Sequence, residues 1–132
     1  MNFEFLIPKR PVSLQTKNRA NLQAWKSFVA VEAAKTWTGT LNTGIDTQLT
    51  LVYLCNEDPV DTDNIIKPIQ DALVGLIYKD DPLVTDVDCH RRPLKGITDI
   101  THWPGLLIDA IASGNECVYV RISNAKPLEN YL

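Results

Sequence analysis

Apolar positions along the chain recur with two periods, and the changes between them divide the sequence into elements. Asn2 to Ile7 is an apolar, β-forming run stopped by Pro8, which predicts a short strand leading into the stiff basic connector Pro8-Lys9-Arg10-Pro11. From about Thr16 to Trp37, Leu22, Trp25, Phe28, Val29 and Ala33 recur at three- and four-residue steps, the spacing of one helix face, with Lys17, Arg19 and Lys26 toward solvent. Thr47 to Cys55 is β-branched and aliphatic with only partial alternation, the strongest strand candidate. A second helix is expected from Asp63 or Asn64, either a natural N-cap, to about Leu73. Ile65, Ile66, Ile69 and Leu73 would face inward, and Gly75 would end it. Pro68 suits only a first turn, so the regular part is expected to begin late. Tyr78 to Pro82 reads as loop, Leu83 to Arg91 as an alternating strand, Trp103 to Ser113 as a helix stopped by Gly114, and Cys117 to Ser123 as a closing strand.

The order β-α-β-α-β-α-β predicts an α/β fold of the α+β type: one domain over residues 1–132, with a mixed sheet and helices packed on it. A chain of 132 residues can bury a sizeable core without disulfides or a structural metal. Three widely spaced cysteines (Cys55, Cys89, Cys117) do not make a disulfide framework. The opening residues lack the basic start of a signal peptide, and no apolar run is long enough to span a bilayer. A reducing cytoplasm is the expected location.

Charge changes this picture more by its placement than by its total. The 13 basic and 16 acidic residues sum to −3, which does not suggest a generic basic nucleic-acid binder. Yet residues 1–35 carry six bases against two acids, whereas residues 57–88 carry nine acids against Lys67 and Lys79. Within the acidic stretch lie Asp61-Thr62-Asp63-Asn64, then Lys67, Asp71 and the pair Asp80-Asp81. Two carboxylates at i and i+2 across the mouth of a helix can face one point, and hard oxygen ligands of this kind suit Mg²⁺. The positive helix end favours an anion there, and a lysine one turn on can stabilise charge growing on a phosphate. Against this, Asp-x-Asp is a common pattern, and a run of acids is ordinarily a solvated face. An EF-hand is excluded, because Ile66 stands where its glycine is required and Ala72 where its glutamate is. Cys55, Cys89, Cys117, His90 and His102 lack zinc spacing, and no P-loop or Gly-x-Gly-x-x-Gly is present.

Taken together, Asp61-x-Asp63-Asn64-x-x-Lys67-x-x-x-Asp71-Ala72-Leu73, the later Asp80-Asp81 and the opening Ile7-Pro8-x-x-Pro11 resemble the signature of the RusA family of Holliday junction resolvases. The resemblance implies Asp61, Asp63 and Asp81 as catalytic metal ligands and Lys67 as the essential lysine, with Mg²⁺ as cofactor, for which Mn²⁺ can substitute. It also implies a homodimer that makes paired cuts across four-way DNA in recombination and repair. Asp71 and Asp80 are then expected to orient Lys67 and metal-bound waters. Lys9, Arg10, Lys17, Arg19, Arg91, Arg92 and Lys95 are the candidate phosphate contacts. If the three aspartates converge, their mutual repulsion should destabilise the metal-free protein. Two departures stand out. Asn56-Glu57-Asp58-Pro59-Val60 is acidic where such resolvases carry bases, and Ile97 to Gly114 reads as a helical insertion. A branched-DNA-binding protein without cleavage, and a nuclease for flaps or forks, are the competing readings.

Overall fold

The computed structural model describes residues 1–132. Its strands are β1 (Asn2–Ile7), β2 (Thr47–Cys55), β3 (Val84–Pro93) and β4 (Cys117–Asn124). Its α-helices are α1 (Arg19–Ala34), α2 (Thr62–Ala72) and α3 (Gly105–Ser113). Short 3-10 turns cover Asp81–Leu83 and Leu128–Asn130. The strands form one mixed sheet in the order β1-β4-β2-β3, with β2 and β3 parallel and the other pairs antiparallel. The expected α+β architecture is the observed one.

Burial explains why the apolar run of β2 alternates so weakly. This strand is central, and both of its faces are covered. Leu49, Leu51, Tyr53 and Cys55 join Phe5, Ile7, Val118, Val120 and Ile122 beneath Trp25, Val29, Ile65, Ile69 and Leu73 of the first two helices. Leu54 points the other way, into a smaller core of Leu107, Ala110, Cys117 and Tyr119 that α3 closes. Of the expected insertion, only Gly105–Ser113 is helical; it ends at Gly114, which adopts a left-handed φ of 73°. Cys89 is half-buried against the main core, and all three cysteines are free.

Helix boundaries depart from expectation where side chains compete with the backbone. Helix α1 begins at Arg19, not near Thr16, because Thr16 and Asn18 are spent in turns and the Asn18 side chain accepts from the N–H of Asn21 at 3.0 Å. Helix α2 is regular from Thr62, with Asp61 as its N-cap residue, although the Asp61 side chain makes no capping bond. Pro68 therefore lies inside the helix, contrary to the expectation that the regular part begins after its first turn. The missing proline N–H would orphan the Asn64 carbonyl. Leu14 donates its N–H to that carbonyl at 2.9 Å, so the connector after β1 supplies the bond that α2 cannot make.

A buried acid fastens this connector at its other end. Glu116 is 8% exposed and accepts from Arg10 at 3.2 Å, from the Tyr53 hydroxyl at 3.0 Å and from the N–H of Asn56 at 2.9 Å. Burial first, and the neighbouring Glu116 second, push the Tyr53 hydroxyl up to about 12. A pKa raised above the unfolded value of about 10 contributes stability that is present below pH 10 and lost as pH climbs toward 12. Tyr53→Phe is thus expected to cost about 1 kcal/mol at neutral pH and to lose stability less steeply than wild type across that alkaline window. Urea unfolding at several pH values measures both slopes.

Candidate functional site

Helix α2 carries Asp63, Lys67 and Asp71 at four-residue steps, so the three side chains share one face. After the turn that follows the helix, the 3-10 segment Asp81–Leu83 returns beside that face. Asp80 sets this return, its carboxylate accepting from the N–H of Asp81 at 2.8 Å. Lys67 Nζ bridges Asp81 Oδ2 at 2.5 Å and Asp71 Oδ1 at 2.9 Å. Lys26, from α1, reaches the other oxygen of Asp71 at 3.6 Å. Asp71 thereby orients Lys67, whereas Asp80 orients the backbone of Asp81 and not the lysine. The Asp81 carboxylate first, and Asp71 second, hold the Lys67 ammonium above its ordinary range. Lys67 is therefore a permanent positive charge at neutral pH and cannot serve as a base.

Asp61 and Asp63 lie on a neighbouring cleft of about 430 Å³, with Cys89, His90, Arg91 and Arg92 of β3 as its other wall. Both aspartates are exposed, and Asp61 meets Arg91 at a loose 3.7 Å, an ion pair worth little in solvent. No three His, Cys, Asp or Glu side chains are grouped closely enough to hold a cation. The cysteines and histidines form no such group. It also means that Asp61, Asp63 and Asp81 are not gathered as one set of ligands: Lys67 neutralises Asp81 at one place while the other two face solvent. The expected repulsion among the three is relieved by this separation and by the lysine. Asp81 Oδ1 nevertheless remains buried with no hydrogen-bond partner, a costly state for a carboxylate oxygen and one that a cation would satisfy.

The expected phosphate contacts sort into two groups. Lys17, Arg19, Arg92 and Lys95 are exposed and pair with no acid. Lys9 lies 5.1 Å from the centre of the Phe28 ring, and Arg91 is turned onto Asp61 and the Val60 carbonyl at 3.2 Å. Arg10 is committed to structure, spanning Glu116 and the carbonyls of Glu57 and Asp58. Its guanidinium holds the acidic loop in place and is not a free phosphate contact. Two participants escaped sequence reasoning. Lys26 was assigned to the solvent face because helical periodicity cannot report the second helix packed beside it. Glu116 carries no sequence signal beyond its position directly before the apolar run Cys117-Val118. A larger cavity, about 640 Å³ beside Phe3 and Trp37, has no charged side chain in its lining and shares no residue with this chemistry.

In this α+β sheet protein the exposed carboxylates at a helix mouth, and the lysine held between acids one turn further on, are groups of the kind that can engage a divalent cation and a phosphate. The comparison with known families makes this particular. The sequence model described as Endodeoxyribonuclease RusA matches residues 8–101, well over half of the chain. The chain belongs to the RusA family, whose members are endodeoxyribonucleases that resolve Holliday junctions and generally depend on a divalent metal. No curated protein matches it. The matched span holds Asp61, Asp63, Lys67, Asp71, Asp80 and Asp81, and ends before α3 and β4.

Proposed function

We propose that this chain is a Mg²⁺-dependent endodeoxyribonuclease that resolves Holliday junctions by paired phosphodiester hydrolysis in recombination and repair, acting as a homodimer. The observation that carries the reading is Lys67, fixed between Asp71 and Asp81 on the helix that opens with Asp61 and Asp63, in a chain of the RusA family. The donor set is of the right kind for the metal. It comprises hard carboxylate oxygens, one of them orphaned on Asp81, with the Asp61 side chain free of capping duty. Asp61, Asp63 and Asp81 stand apart in the metal-free chain and would hold the cation only by drawing together, with Asp81 giving up Lys67. When bound, the cation would polarise a scissile phosphate and lower the pKa of the attacking water.

The chain's own residues supply the rest. The N-terminus of α2 presents its positive end beside Asp63, where it favours a phosphate. Lys67 places a fixed positive charge where the phosphate becomes more negative. Asp71 gives that lysine a second carboxylate, so its ammonium stays placed when Asp81 is otherwise engaged. Lys17, Arg19, Arg92 and Lys95 are the free cations for the DNA backbone. A two-fold dimer matches the approximate two-fold symmetry of a four-way junction.

Incubation of the purified protein with a synthetic four-way junction and with linear duplex, each in Mg²⁺ or EDTA, tests the activity. Mg²⁺-dependent cleavage of the junction is expected, and no cleavage of either substrate would overturn the reading. Sedimentation of the complex should return two protein chains per junction; a single bound chain would rule out the dimer.

Metal binding has a separate thermal signature. Mg²⁺ at ten times its dissociation constant should stabilise wild type by about 1.4 kcal/mol, and Asp63→Asn by less. In EDTA the two should melt together, because Asp63 is exposed and its favourable position near the helix dipole is worth only about 0.3–1 kcal/mol. Equal responses to Mg²⁺, with a much lower melt for the variant in EDTA, would make Asp63 a helix-stabilising residue instead.

A further inference from the structure

Beyond the carboxylate cleft, the chain after β3 turns back and encloses a second cavity of about 440 Å³. Arg92 lines both cavities, so the two are neighbours along the strand. Lys95, Ile97, Asp99 and Trp103 complete the principal walls of the second. Its volume lies within the roughly 300–1,000 Å³ of sites that bind small organic groups. Trp103 is half-buried: it packs with the minor core that α3 closes, and it also lines this cavity. Arg92 and Lys95 are exposed and form no ion pair, the only bond of the Arg92 guanidinium being to the Arg91 carbonyl at 2.9 Å. The one acid in the wall, Asp99, is turned onto Thr101, from which its Oδ1 accepts at 2.7 and 3.1 Å. An aromatic ring packed on the minor core, two unengaged cations and a place next to the carboxylate cleft make a combination suited to a nucleotide. In paired duplex the bases are stacked on one another and no ring can enter between them at low cost, whereas an unstacked base offers its face to a tryptophan.

We propose that this cavity is a nucleotide-binding subsite that takes an unpaired DNA base against Trp103, with the adjoining phosphates on Arg92 and Lys95. The proposal rests on the reading of the chain as a branched-DNA nuclease and deepens it: the unpaired nucleotide is the feature by which a distorted branch point differs from plain duplex. The walls come from both sides of the family match, since Arg92 to Asp99 lie within residues 8–101 and Trp103 lies beyond them.

The test is the affinity, in EDTA, of wild type, Trp103→Leu, Trp103→Phe and Lys95→Gln for three probes: a four-way junction, linear duplex, and a single-stranded oligonucleotide carrying 2-aminopurine. Trp103→Leu keeps an apolar side chain in the minor core but has no ring face. It should weaken junction and single-strand binding about tenfold and leave duplex binding unchanged. Trp103→Phe should stay close to wild type. Lys95→Gln should weaken every probe and reduce the slope of log affinity against log salt by about one. In wild type alone, quenching of the 2-aminopurine reports the stacking contact, so the conclusion stands even if the leucine variant folds poorly. Unquenched 2-aminopurine, or equal binding of the single strand by wild type and Trp103→Leu, would overturn the subsite. If the single strand requires Trp103 but the junction is bound no better than duplex, the subsite stands and the junction reading fails.

Discussion

Lys67→Ala, Asp81→Asn and Asp63→Asn should each lower the rate of junction cleavage by about 10²–10³ or more, with junction affinity in EDTA close to that of wild type. The three changes act on different parts of one arrangement. Lys67→Ala removes the cation between Asp71 and Asp81, leaving Asp71 only its longer contact to Lys26 and Asp81 with no cation. Asp81→Asn replaces the carboxylate whose Oδ1 is buried and unpartnered, and an amide is a poor ligand for Mg²⁺. Asp63→Asn removes a charge from the cleft mouth, where the side chain is exposed and free of partners. Binding should survive because it is spread over several phosphate contacts on other segments. Single-turnover cleavage and gel shift, run on the same preparations, separate the two. Affinity falling in parallel with rate would show that these residues hold the complex together and do not act in the chemical step.

The second large effect is on stability and lies outside the cleft. Glu116→Ala should cost about 3 kcal/mol, at the lower end of what breaking a buried ion pair costs, because Arg10 is half-exposed and can turn to water. The buried Tyr53 hydroxyl has no such escape and loses its acceptor in a dry site, and the N–H of Asn56 loses the same acceptor. Glu116→Gln retains an oxygen acceptor and should cost less than half as much. Urea unfolding gives both values, and a loss under 1 kcal/mol for the alanine variant would mean that water replaces the carboxylate freely. Because Arg10 also holds the carbonyls of Glu57 and Asp58, the same variant should loosen the acidic loop that leads into Asp61. Faster amide exchange over residues 56–60 would report this.

The sequence by itself determined the order and nature of the regular elements, since each is specified locally. Thr47 to Cys55 has the length and the β-branched, aliphatic make-up of a strand, and the steps from Leu22 to Ala33 match one helix face. It also singled out Asp61, Asp63, Lys67 and Asp71, because residues at fixed offsets at and along one helix can be placed relative to one another without knowledge of the rest. Asp81 was distinguished from Asp80 only by the resemblance to the RusA family. Whatever depends on a distant partner was decided by the tertiary structure. Pro68 sits inside α2 because Leu14, more than fifty residues earlier, satisfies the freed carbonyl. Arg10 and Lys26 read as surface bases, yet packing brings them onto Glu116 and Asp71. Asp81 shares the acidic composition of Asp61 and Asp63 but is paired with Lys67, because a carboxylate beside a helix lysine is neutralised at short range while three carboxylates brought together without a cation repel. Local pattern encodes which groups are available; only the assembled sheet, with its helices packed on both faces, determines which charges meet.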